Sequence, residues 1–156
     1  MPKSASVFFS GGAKVQAEVV WTAEKMTRGL SNSRGLAQGK GMLFLYPYEG
    51  TRRFWMKSML FDLDIIYLRH DGIISRIFKN VRRPAPGARD EDVSAVEGYA
   101  NYVLEVEAGF ADKNSLKEGL RADVSFSTAT VNIALGTAAA PAPAVQTAIN
   151  KAKGKK

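Results

Sequence analysis

The dipeptide Asp71-Gly72 stands between two β-rich runs, Asp64–Arg69 and Ile73–Val81. Asp-Gly flanked by β-branched and aromatic residues predicts a tight two-residue hairpin turn, because glycine takes positive φ without steric cost. Ser10-Gly11-Gly12-Ala13 repeats the pattern between Val7-Phe8-Phe9 and Val15–Val20. Reversals this close to short β-rich runs exclude long helices from both stretches. They direct the chain towards a fold built of hairpins.

The remaining segments agree with that frame. Val15, Ala17 and Val19 share one strand face, with Gln16 and Glu18 on the other. Thr22 is placed to cap a short helix running from Ala23 to about Leu30, closed by Gly29 and Asn32-Ser33. Gly41-Met42-Leu43-Phe44-Leu45 reads as a short buried strand that Tyr46-Pro47-Tyr48-Glu49-Gly50 breaks. Residues 82–98 read as a long loop. Tyr102–Glu107 alternates, sending Leu104 and Val106 inwards and Glu105 and Glu107 towards water. Gly109 to Leu116 forms a helical turn, and a last strand runs from Ala122 to Phe126, with an extension through Thr130–Leu135. The expected fold class is α+β, mostly β. It is a small single-domain antiparallel barrel or sandwich over residues 1–135, with one or two short helices and a flexible C-terminal tail.

At 156 residues the chain suits one domain with one core. It has no cysteine, which excludes disulfides, thiolate metal sites and cysteine nucleophiles. The single histidine, His70, falls at the expected hairpin tip as a solvated turn residue, and a three-histidine zinc site is impossible. We expect no metal, no cofactor and no membrane span, since no run approaches the roughly 20 apolar residues that a span needs. The apolar run Val7–Phe9 is too short for a secretory signal, so as written the chain reads as cytoplasmic.

The net charge of +7 is unevenly placed. Residues 1–126 carry 18 basic and 15 acidic side chains, whereas 127–156 carry four lysines and no acid. Residues 136–156 form an Ala/Pro linker and a basic tail ending in Lys151, Lys153, Lys155 and Lys156. Those lysines are the expected contacts to a nucleic acid or other acidic surface, of a weak, electrostatic kind.

Read in order, several segments resemble the family called domain of unknown function 192 (DUF192). They are Arg28-Gly29-Leu30, Gly41-Met42-Leu43-Phe44, Phe54-Trp55-Met56-Lys57, Leu63-Asp64-Ile65-Ile66-Tyr67, Asp71-Gly72-Ile73-Ile74, Tyr102-Val103-Leu104-Glu105-Val106 and Ala108-Gly109-Phe110. The resemblance runs from about residue 15 to residue 126 and implies a compact β-rich domain. It implies no reaction. Asp62 stands where the family usually has proline, so a pair made by Asp62 and Asp64 is no family feature.

Two aspartates one residue apart nevertheless raise a question of chemistry. On one strand they would share a face roughly 7 Å apart, within the spacing of an inverting glycosidase pair. The strand is explained without catalysis, however, because Leu63, Ile65 and Tyr67 supply its apolar face. Asp64 therefore reads as a structural carboxylate that bonds a nearby turn, and Asp62 as a solvated residue. In Trp55-Met56 one side chain goes to each face, one into the core and the other towards a groove. Lys57 and Glu105 join them as polar residues at the groove edge.

The leading expectation is a non-enzymatic binding or accessory module, with no catalytic residues and a candidate groove formed by Trp55, Met56, Lys57, Asp64 and Glu105. Its partner would be a protein or assembly of unknown identity. One alternative is a structural subunit of a larger assembly, for example a viral particle, anchored through the basic tail. The other is a hydrolase that depends on Asp62, Asp64 or Glu105.

Overall fold

In a computed structural model the structure describes residues 1–127. Strands β1 (Ser4–Phe9) and β2 (Lys14–Val20) form the first hairpin, in register from Ser4↔Glu18 to Phe8↔Lys14. Helix α1 (Ala23–Arg28) follows, with the Thr22 hydroxyl accepting from the Lys25 N–H. Then come β3 (Lys40–Trp55), β4 (Leu63–Leu68), β5 (Ile74–Val81), β6 (Ala95–Glu107), α2 (Phe110–Lys113) and β7 (Ala122–Ser127). A 3-10 turn at Asp90–Asp92 precedes β6.

All seven strands belong to one sheet, in the order β5-β4-β6-β3-β2-β1-β7. Its two edge strands approach at one end. Ile73 bridges to Arg121, the Ile74 N–H donates to the Leu120 carbonyl, and the Ala122 N–H donates to the Gly72 carbonyl. The sheet thus curls into a barrel-like wall that removes part of its open edge. The expected α+β, mostly β class is the class observed.

One departure from antiparallel pairing is instructive. β2 and β3 run parallel, from Gln16↔Lys40 to Val20↔Phe44. Parallel neighbours need a crossover, and residues 21–39, including α1, supply it. That crossover lies over one face of the sheet.

Two apolar clusters occupy the two faces. Inside the curl lie Val7, Val15, Ala17, Val19, Leu43, Ile66, Leu104 and Val106. On the outer face Met42, Phe44, Ile65, Tyr67 and Val103 pack against Leu30 from the crossover and against Phe54, Met56 and Met59. The middle strands are therefore covered twice, and all six residues of β4 are buried.

This double cover corrects several expectations. Glu105 does not face water: it is 6% exposed. Asp62 lies in the turn before β4 rather than on a shared strand face, and Asp64 is fully buried. The Tyr46–Gly50 segment does not end a strand. β3 continues to Trp55 with a register irregularity between Leu45 and Gly50, the kind of site that accommodates a proline such as Pro47. Arg52 stabilises the irregularity, stacking 4.0 Å from the Tyr46 ring centre and donating to the Tyr48 carbonyl. The loop after β5 is shorter than expected, because residues 95–98 already belong to β6.

The hairpin at Asp71-Gly72 exists, but not as a two-residue turn. The Gly72 N–H donates to the Arg69 carbonyl, so His70 and Asp71 are the central residues, and Gly72 follows at φ 81°. A type I-like turn followed by a left-handed glycine gives a three-residue connection. The boundary placed at residue 135, the strand extension at 130–135 and the tail with Lys151, Lys153, Lys155 and Lys156 lie outside the described residues. Among the described residues no helix is long and apolar enough to cross a membrane.

Candidate functional site

The crossover and the end of β3 enclose a groove on the outer face. Gly29 ends α1 at φ 47°, and the space beside it is limited by the Phe44 ring, 3.4 Å from where a Cβ would stand. The chain therefore turns close over β3. The Asn32 N–H then donates to the Ser58 carbonyl at 2.9 Å, tying the crossover to the segment after Trp55. Between these ties lies a cavity of about 390 Å³, within the range typical of small-molecule sites.

Its walls carry Met26, Leu30, Phe54 and Met59, with Trp55 exposed to 46% at the mouth. Phe44 and Tyr46 of β3 contribute to the lining, together with Glu105 of β6. Arg28, Arg53 and Lys57 bring positive charge. The Lys57 ammonium sits 4.8 Å from the Trp55 ring centre and pairs with Asp90 at 2.8 Å. Arg53 is in register with Glu97 across the β3–β6 ladder. Among the described residues neither Arg28 nor Arg53 forms an ion pair.

Glu105 is the unusual member. Its register partners are Met42 and Ile65, so apolar neighbours flank it on both strands. Its Oε2 is buried and has no hydrogen-bond partner. Burial disfavours the charged form and pushes the carboxyl up to about 8, so it is mostly protonated at neutral pH. Tyr46 and Tyr67 are close enough to feel it. Burial raises both phenols above the ordinary range, and the Glu105 charge contributes in the same direction. The Tyr67 hydroxyl donates to the Val96 carbonyl at 3.4 Å.

The five residues expected to form one groove separate into two groups. Trp55, Lys57 and Glu105 line the same cavity, whereas Met56 is 2% exposed and packs in the core. Asp64 is on the other side of the sheet. Its Oδ1 accepts from the Asn80 N–H and its Oδ2 from the Ala111 N–H, both at 2.8 Å. It fastens β5 and α2 to β4, the structural role expected of it. Sequence reasoning missed Arg28, Arg53 and Tyr46, although Arg28 opens one of the matched segments. Asp62 accepts from the Arg83 N–H and lines a second cavity with Arg83 and Glu107. His70, exposed at its hairpin, contacts Glu49 at 2.6 Å through Nδ1. Among the described residues no group of three or more His, Cys, Asp or Glu side chains could hold a metal ion.

Comparison with known proteins agrees with this architecture. A family model, DUF192, described as an uncharacterized ACR, matches residues 6–124. No curated protein matches the chain. A crystal structure from Sinorhizobium meliloti 1021, described as a candidate transcription regulator, superposes with a TM-score of 0.68 at 22% identity, covering 80% of this chain and 94% of that one. A protein of unknown function from Novosphingobium aromaticivorans gives a TM-score of 0.64 at 25% identity, covering 77% of this chain and 83% of the other.

Proposed function

Because the chain belongs to the DUF192 family, whose description names no reaction, its role has to be read from its own site, and we propose that it is a small-ligand-binding module. One observation carries this reading. The groove contains a buried carboxyl, that of Glu105, with an oxygen that no group among the described residues satisfies. A buried polar atom without a partner costs about 1–3 kcal/mol, and a ligand that supplies the partner recovers that cost.

The surroundings support the same reading. Four separately matched segments, around Arg28, Phe44, Trp55 and Glu105, meet at this one groove. Trp55 offers a half-exposed flat surface beside it, the kind of anchor that binding sites use. The second cavity is a weaker candidate, since Asp62 already accepts from Arg83 N–H and Arg83 already donates to the Leu60 carbonyl. A two-carboxylate hydrolase finds less support. Among the described residues Glu105 is the only acidic one lining the groove, and Asp62 and Asp64 lie elsewhere. Anchoring of an assembly through the tail concerns residues outside those described.

The reading is tested by screening small molecules of neutral, cationic and anionic classes by ligand-observed NMR. Binders should lose saturable contact with the Trp55→Ala protein. A screen without binders, or binders indifferent to Trp55→Ala, would sink it.

A further inference from the structure

Resting on the groove reading, we infer that the ligand is a small organic anion with a flat apolar body, held at its charged end by Arg28 and Arg53 and hydrogen-bonded by the buried Glu105 carboxyl. The geometry behind this is an asymmetry of charge. Three cationic side chains line the groove: Lys57 pairs with Asp90 at 2.8 Å, while Arg53, across the ladder from Glu97, and Arg28 form no ion pair among the described residues. Two exposed guanidiniums are left at the groove that the buried carboxyl also lines. Guanidinium groups bind carboxylates and other oxyanions through paired N–H donors, so an unpaired pair at a groove selects for anions.

Glu105 would oppose an anion if it were charged. Buried between Met42 and Ile65, it carries a proton at neutral pH and is a donor rather than a competing charge. The phenols near it are Tyr46 from β3 and Tyr67 from β4, both held neutral, with Arg52 acting on Tyr46 and Glu97 of β6 on Tyr67. Arg28 from α1, Arg53 from β3 and Lys57 from the following segment line the same groove, and Glu97, the negative charge in this set, stands across the ladder from Arg53. The apolar body has its place against Trp55, Met26 and Met59. Such a ligand would complete the orphaned carboxyl and neutralise the arginines together. A cationic ligand could hydrogen-bond the carboxyl but would leave the arginines without a counter-charge.

Binding should also be linked to protons. An anion beside Glu105 favours its protonated form further, so affinity falls once the solution pH rises past about 8 and the acid ionises.

Naphthoate and its uncharged analogue naphthamide, titrated calorimetrically into the full chain, separate the possibilities. Naphthoate is expected to bind at least about tenfold more tightly than naphthamide, and Arg28→Gln and Arg53→Gln should each remove most of that preference. Between about pH 6 and pH 9 the wild-type affinity for naphthoate should fall by about tenfold, and Glu105→Gln, which keeps a neutral donor, should flatten the profile. Equal binding of both probes, abolished by Trp55→Ala, would overturn the anion inference and leave the groove as a binding site. Naphthoate binding that ignores the two arginine substitutions would overturn it as well. If neither probe binds, the inference falls together with the groove reading. Circular dichroism of each variant confirms that a loss of binding is not a loss of fold.

Discussion

Asp64 and Glu105 stand one register step apart on neighbouring strands and project from opposite faces of the sheet. Asp64 is level with Val106, which packs inside the curl, while Glu105 is level with Ile65, which packs on the outer face. Both carboxylates are buried, yet their situations are opposite. Asp64 has both oxygens satisfied by backbone N–H groups, and Glu105 has an oxygen with no partner. One fastens the fold, and the other keeps an acceptor unused among the described residues.

Asp64→Ala should be strongly destabilising. It strips acceptors from the Ala111 N–H, which is buried, and from the Asn80 N–H, at the exposed end of β5. A buried donor left unpaired costs about 1–3 kcal/mol and a part-buried one less, so the total should be roughly 2–4 kcal/mol. Urea denaturation would register this as a lower midpoint at an unchanged slope. An unchanged midpoint would mean that Asp64 does not fasten α2 and β5 to β4.

Glu105→Gln should remove a pH dependence of stability. The carboxyl is raised from 4.5 to about 8 in the folded chain, so between those values the folded state holds a proton that the unfolded state has lost. This group's favourable contribution is complete below about pH 4.5 and declines as pH rises towards about 8, beyond which it is flat. At 1.36 kcal/mol per pKa unit the difference is on the order of 3–5 kcal/mol. The Gln variant should therefore match the wild type at pH 4.5 and melt higher at pH 8. Parallel melting profiles across that window would contradict the buried, neutral acid.

Gly72→Ala should cost far more than Gly12→Ala, although both glycines have positive φ, 81° and 92°. A Cβ at Gly72 would lie 2.1 Å from the Ala122 carbonyl oxygen, where the sheet edges meet, while one at Gly12 meets nothing within 4 Å. We expect about 1 kcal/mol at Gly12 from backbone conformation alone, and roughly 3 kcal/mol or more at Gly72, where β7 has to move. Thermal melts of the two variants check this directly. Similar shifts for both would show that the edge contact is dispensable.

Trp55→Ala should separate binding from stability. The side chain is half exposed and lies against the Lys57 ammonium. Truncation should change stability by less than about 1 kcal/mol. Ligand binding at the groove should be lost in the same protein. A large drop in melting temperature would instead make Trp55 part of the core.

What the sequence determined by itself was local or pairwise. Paired glycines placed the first hairpin, Thr22 placed the helix start, and Trp55-Met56 had to send one side chain to each face. Asp64 reads both as a groove candidate and as a structural carboxylate bonding a turn, the latter because Leu63, Ile65 and Tyr67 explain its strand without catalysis. The tertiary structure alone decided what covers each face. Period-two alternation in Tyr102–Glu107 says that Glu105 and Leu104 face opposite ways, but it cannot say that residues 21–39 fold back over the Glu105 side. That cover rests on contacts between segments far apart in the chain, and no local pattern encodes them. It turned an expected wet glutamate into a buried acid and brought Arg28 and Arg53 to the same groove, because desolvation depends on where the whole chain goes.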